Sequence, residues 1–134
     1  MSNVGFGRSQ QGWPDCSPDV REQVEGTVAD FREVLGVVLV GAYLHGSLAM
    51  GCFNPTGSDV DMLFVVDAPL SLEQKVELAR VCLRRTESPR PLELSVLLRD
   101  ALRPWHHPAP HEFHYSDNWR ERYIDILKTG VPLP

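Results

Sequence analysis

The sequence predicts an α/β domain in which apolar strands gather into one sheet and alternate with amphipathic helices. Three observations carry that expectation. Residues 37–44 form an almost unbroken, valine-rich apolar run, a second apolar strand opens at Asp59, and a third occupies residues 92–98. Stretches with helical periodicity stand before the first and between the second and third. At 134 residues the chain has room for one core.

Taken in order, residues 1–16 carry Gly, Ser, Gln and Pro without periodicity and read as a flexible leader, with Trp13 tacking it to the body. Residues 17–134 form the domain. Ser17-Pro18-Asp19 opens a helix, with proline near its first position and an acidic first turn. Val20, Val24, Val28, Phe31 and Leu35 follow its apolar spacing, and Gly36 ends it. The run at 37–44 then reads as a central strand covered on both faces. A helix is expected to start at Leu48 to Met50, and residues 51–57, with Asn54-Pro55 and Gly57, read as a loop that brings the chain back to the same sheet edge.

After the second strand, Pro69 and Ser71 introduce a helix to about residue 85, with Leu72, Val76, Ala79 and Leu83 on its expected buried face. Arg84, Arg85 and Arg90 read as a solvated helix end, with phosphate contact as the alternative. Strand 92–98 follows, closed by Arg99-Asp100. The Pro- and His-rich residues 104–111 cannot form regular helix and are expected to run over the surface. Residues 112–115 read as a short edge strand. Asp117 is expected to cap a final helix carrying Trp119, Tyr123, Ile124 and Leu127, stopped by Gly130 and Pro132.

Composition narrows the function classes. Hydrophobic residues at 43% and charged residues at 23% are ordinary for a soluble globular protein, and no signal peptide or bilayer-spanning stretch is evident. A net charge of -5 argues against non-specific grip on nucleic acid and suits a small cationic partner better. Cys16, Cys52 and Cys82 form no even framework and no C-x-x-C pair, which favours reduced thiols and a cytoplasmic setting.

Chemistry concentrates between the first two strands. Gly46 lets the backbone approach a ligand, and Ser47 adds a hydroxyl and an amide; together they suit a phosphate or form a plain tight turn. Asp59 and Asp61 share one strand face, roughly 7 Å apart, while Val60 points into the core. Two such carboxylates repel unless a cation lies between them, although D-x-D alone also marks a solvated strand end. Oxygen-only donors favour a hard ion such as Mg²⁺. Glu93, flanked by Leu92, Leu94, Val96 and Leu97, would cost several kcal/mol if buried unpaired, so it calls for a cation or a proton.

Competing motifs are missing. His106, His107, His111 and His114 lack zinc-ligand spacing; Ser47 lacks the G-x-S-x-G elbow of serine hydrolases; no Walker lysine motif is present. His45 is either a phosphate neighbour or a satisfied strand-end histidine.

In combination, Gly46-Ser47, then Ser58-Asp59-Val60-Asp61, then Glu93 resemble the polymerase-beta-type nucleotidyltransferases. AYLHGSLAMGCFNPTGSDVDML, LELSVLLRD and PWHHPAPHEFHYSDNWRERY are most similar to the streptomycin and spectinomycin adenylyltransferases. The resemblance implies a small mixed sheet with helices mainly on one face, and transfer of AMP from ATP to a hydroxyl of an aminoglycoside-type acceptor. It implies Asp59, Asp61 and Glu93 as catalytic residues and ligands of Mg²⁺, two ions in a two-metal arrangement. It further implies Gly46, Ser47 and Ser58 around the ATP phosphates. Trp119 is either a substrate contact or core packing, the segment carrying one inserted residue relative to the family's E-W-x-R pattern. The family's helical second domain is not expected in this length of chain. The alternatives are a fragment of a longer enzyme, a homodimer that completes the site, a regulatory antitoxin-like subunit beside a helical partner protein, or an inactive stand-alone domain.

Overall fold

The computed structural model describes residues 11–102 and 111–129. The first helix forms where capping and periodicity place it. α1 (Pro18–Leu35) has Ser17 at its N-cap, and the Asp19 carboxylate accepts from the Val20 amide at 3.0 Å and from the Ser17 hydroxyl. Gly36, at φ 58°, stops it and donates its N–H to Arg32 O. The buried face carries Val20, Val24, Phe31 and Leu35, and also Gln23 and Thr27, two polar residues that periodicity does not single out.

The strands are β1 (Leu39–His45), β2 (Val60–Val66), β3 (Leu92–Leu98) and β4 (Phe113–Ser116). They lie in chain order, antiparallel, parallel and antiparallel in turn, so the sheet is mixed, as expected. The parallel step from β2 to β3 is spanned by α3 (Leu72–Arg85), the crossover helix such a connection needs. Its N-terminus is a capping box: Ser71 Oγ accepts from Gln74 N at 3.1 Å, and Gln74 Oε1 accepts from Ser71 N at 2.9 Å. Between β1 and β2 lies a single turn, α2 (Gly46–Ala49); α4 (Arg120–Thr129) closes the described chain.

α1 and α3 lie side by side on one sheet face. Alternation sends Val60, Met62, Phe64 and Val66 of β2, and Leu92, Leu94 and Val96 of β3, into a core shared with Phe31, Leu35, Leu78, Ala79 and Cys82. Phe31 of α1 stacks on Phe64 at 4.3 Å between centroids. Both rings are fully buried, a contribution of roughly 2–3 kcal/mol each. Arg85 ties the two helices together, with Nε 2.8 Å from Asp30 Oδ2 and Nη1 3.3 Å from Glu22 Oε2. Among the described residues no helix is long and apolar enough to cross a membrane.

Several expectations need correction. β1 is an edge strand rather than a central one, with Val40 44% and Tyr43 54% exposed. An apolar run records affinity for a covered face but not how many strands flank it. Of the expected leader, residues 1–10 lie outside the described residues, while Gln11 pairs its backbone with Phe53 and Cys16 is buried. Trp13 does meet the body: the Arg21 guanidinium sits 4.2 Å from its ring. Of the expected face of α3, Ala79 is buried and Leu83 packs against the core, but Leu72 is 62% exposed, and Leu78, Val81 and Cys82 complete the buried side. Asp117 does not cap the last helix. Its carboxylate accepts from Thr86 Oγ1 at 2.6 Å and Tyr115 OH at 2.9 Å. Residues 104–110 of the Pro- and His-rich stretch, Gly130 and Pro132 lie outside the described residues.

Candidate active site

Strand register assembles the site. Across the sheet His45 pairs with Asp61, Asp61 with Glu93, and Glu93 with Ser116, so one row of side chains on one face reads His45, Asp61, Glu93, Ser116. Directly paired residues have Cβ atoms roughly 5 Å apart. The next row on that face is Tyr43, Leu63, Ser95, His114. This is the face away from the α1 and α3 core. A cavity of about 340 Å³ opens there, lined among others by His45, Gly46, Asp61, Glu93 and Ser95. A larger groove, about 560 Å³ between α1 and β1, has no carboxylate pair and places only Glu25 and Arg32 beside apolar walls. Both Asp61 and Glu93 line the smaller cavity.

Gly46 is where the backbone meets the carboxylates. It follows His45 at the end of β1, has φ 66°, and a Cβ built there would overlap Asp61 Oδ2. A side chain would therefore be strained and would also displace the aspartate. α2 begins at Gly46, earlier than Leu48, so the amides of Gly46, Ser47 and Leu48 belong to a first turn and have no acceptor within the helix. Ser58 turns its hydroxyl onto the Asn54 amide at 2.9 Å, folding the loop that precedes Asp59.

The burial that sequence assigned to Glu93 falls on Asp61 instead. Glu93 is exposed, because its leucine neighbours alternate to the other face; Asp61 is half-buried and Asp59 is exposed. Burial first, then the charges of Glu93 and Asp59, push the Asp61 carboxyl up from 3.8 to about 6, against the weaker opposing pull of His45. The carboxylates of Glu93 and Asp59 thus lie within electrostatic reach of Asp61, with no Lys or Arg among the groups that perturb it.

That donor set fits a hard divalent cation. Among the described residues no three His, Cys, Asp or Glu side chains form a ready cage for a metal ion. Mg²⁺ does not require one, since it is ordinarily held by one or two carboxylates, water and substrate phosphates. A direct consequence is measurable. The folded protein keeps the Asp61 proton between its ordinary 3.8 and about 6, so this group's contribution to stability is complete below 3.8 and is lost as pH rises through 6. Saturating Mg²⁺ is expected to raise Tm by about 4 °C or more near pH 7.5, where the charges are unrelieved, and by far less near pH 5. Equal shifts at both values would contradict the carboxylate site.

Beside this row, Ser95 Oγ and His114 Nδ1 are hydrogen-bonded at 2.8 Å. Burial, then the neighbouring His111, hold the His114 ring below its ordinary pKa against the pull of Glu93. His111, His114, Trp119 and Tyr123 line a third cavity of about 190 Å³. Trp119 is 44% exposed and lies in the turn before α4, not in the core, with the Arg122 guanidinium 5.7 Å from its ring. Sequence reasoning passed over Ser95, although the two-residue alternation from Glu93 places it on the same face. His114 lies in β4, where the short edge strand was expected, but its pairing with Ser95 was not anticipated.

Comparison with known proteins bears on the family and the fold. The family model for the nucleotidyltransferase domain matches residues 24–125. A spectinomycin 9-adenylyltransferase of Staphylococcus aureus is 32% identical over 104 residues, 73% of this chain and 40% of that one. An aminoglycoside (3'') (9) adenylyltransferase of Escherichia coli is 30% identical over 122 residues, 81% of this chain and 45% of that one. The crystal structure of a spectinomycin adenyltransferase from Enterococcus faecalis, with ATP and spectinomycin, superposes with TM-score 0.71 at 29% identity, covering 78% of this chain and 44% of that chain. The chain thus spans less than half the length of these relatives.

Proposed function

The chain belongs to the nucleotidyltransferase domain family, and from that premise we propose that it transfers AMP from ATP to a hydroxyl of a small, cationic, aminoglycoside-type acceptor. The observation that carries the proposal is the in-register pairing of Asp61 with Glu93 beside Gly46, two facing carboxylates at the mouth of one cavity.

Asp59 and Asp61 would hold Mg²⁺, as one ion or a pair, against the triphosphate. Bound there, the metal supplies neutralisation of the charge that develops on the phosphates. The amides of Gly46 and Ser47 would receive the outer phosphates, and Ser58 would keep the Asp59 loop folded through its bond to Asn54. Glu93, exposed at the cavity, would take the proton from the acceptor hydroxyl. The acceptor oxygen bonds the α-phosphorus as the bond to the bridging oxygen breaks, and pyrophosphate leaves. Positioning and electrostatics carry most of such a reaction.

The acceptor would lie toward Trp119, whose exposed ring offers a flat surface to a sugar or a cationic centre. A net charge of -5 favours approach of a cation. The test is incubation of the full chain with ATP, Mg²⁺ and spectinomycin or streptomycin, read by mass spectrometry. An adenylylated antibiotic is expected. ATP left intact, with no Mg²⁺-dependent nucleotide binding by calorimetry, would overturn the proposal.

A further inference from the structure

We infer that Arg90 is a positioning residue for Asp59, holding the segment that presents this carboxylate at the edge of the sheet. The peptide groups on both sides of Asp59 are tied to two consecutive residues of the turn before β3. Arg90 Nε donates to Ser58 O at 2.8 Å, and the Val60 amide donates to Pro91 O at 2.8 Å. Asp59 itself is exposed and lies outside the strand ladder, so these two bonds tie its flanking peptides to the turn before β3, beside the Ser58–Asn54 bonds that fold the preceding loop.

The turn that makes them is itself anchored. Gln23 of α1, fully buried, donates from Nε2 to Arg85 O at 2.8 Å and to Arg90 O at 2.7 Å, and its Oε1 accepts from Arg90 N at 3.4 Å. Glu87 N donates to Arg90 O at 2.8 Å. Thr86, also buried, donates to Asp117 and accepts from the Leu92 amide at 3.0 Å. A buried glutamine spending its amide on a distant turn rigidifies that turn, because each of those groups would be costly to leave unpaired. The guanidinium of Arg90 then extends this rigidity to Ser58, and a charge-assisted bond to a carbonyl is stronger than a neutral one. Outer partners of this kind orient the groups that hold a metal.

The inference rests on the proposed role of Asp59, and its test separates the two. Arg90→Met removes the donor while keeping the aliphatic stem; Arg90→Lys keeps a charge with one shorter donor. Amide exchange is expected to quicken about tenfold or more at residues 58–60 in Arg90→Met, less in Arg90→Lys, with α1 unchanged. Affinity for Mn²⁺ with α,β-methylene-ATP, measured by calorimetry, is expected to fall about 10-fold or more in Arg90→Met. The same change on an Asp59→Asn background should produce no further loss. If Asp59→Asn alone binds like the unaltered protein, the role of Asp59 falls, while the exchange data still judge the hold of Arg90. Unchanged exchange at 58–60, or a uniform rise across α1 and α3 in both Arg90 variants, would overturn the assignment.

Discussion

Asp61→Asn is expected to lower nucleotide transfer by at least about 10³-fold and to remove Mg²⁺-dependent ATP binding, since a metal-holding carboxylate supplies several kcal/mol of charge stabilisation. The amide keeps the aspartate's shape at the centre of the row from His45 to Ser116 but can no longer carry charge. Its effect on folding should have the opposite sign. Near pH 7.5 the folded protein confines an ionised Asp61 that burial and Glu93 disfavour, and asparagine relieves that repulsion. The metal-free variant should therefore melt above the unaltered protein near pH 7.5, and the difference should shrink near pH 5, where Asp61 holds its proton. Thermal melts at both values, with and without Mg²⁺, check this. A variant that still binds ATP in a Mg²⁺-dependent way would remove Asp61 from the site.

Gly46→Ala should lose both activity and stability. The residue sits at φ 66°, where an L side chain costs roughly 1–2 kcal/mol, and its Cβ would occupy the space of Asp61 Oδ2. Either the backbone leaves this conformation, carrying the Ser47 amide with it, or the carboxylate moves away from Glu93. A loss of about 10²-fold or more in kcat/KM is expected, because displacement by an ångström at a reacting centre has effects of that order. Urea denaturation should show an unfolding free energy smaller than that of the unaltered protein by roughly 1–3 kcal/mol. Full activity in a stable alanine variant would mean that Asp61 does not need its present position.

Comparison of individual elements shows where sequence reasoning works. α1 could be read from Ser17, Pro18, its apolar spacing and Gly36, and α3 from Ser71 and Gln74, because capping and periodicity are local. Of the Gly46-Ser47, Asp59-Asp61 and Glu93 pattern, Gly46, Asp61 and Glu93 line one cavity and the charge of Asp59 reaches Asp61, whereas Ser47 is not among the lining residues. Burial was the weak point. Alternation should have sent Glu93 to the face opposite its leucines, and the unfavourable environment belongs to Asp61. Trp119 could not be assigned from sequence, since tryptophan serves core and surface alike; in the structure it is exposed.

Residues near one another in the chain thus determined the helices, the strands, the glycine turn and the kinds of side chain available for chemistry. Pairing between strands far apart in sequence decided which carboxylates face each other, that β1 forms an edge, and that Gln23 and Arg90 brace the segment bearing Asp59. Shifting β3 by one residue against β2 would turn Glu93 to the opposite face without altering any local preference. The register is selected by burying Leu92, Leu94 and Val96 against the helices, a choice made by the core as a whole.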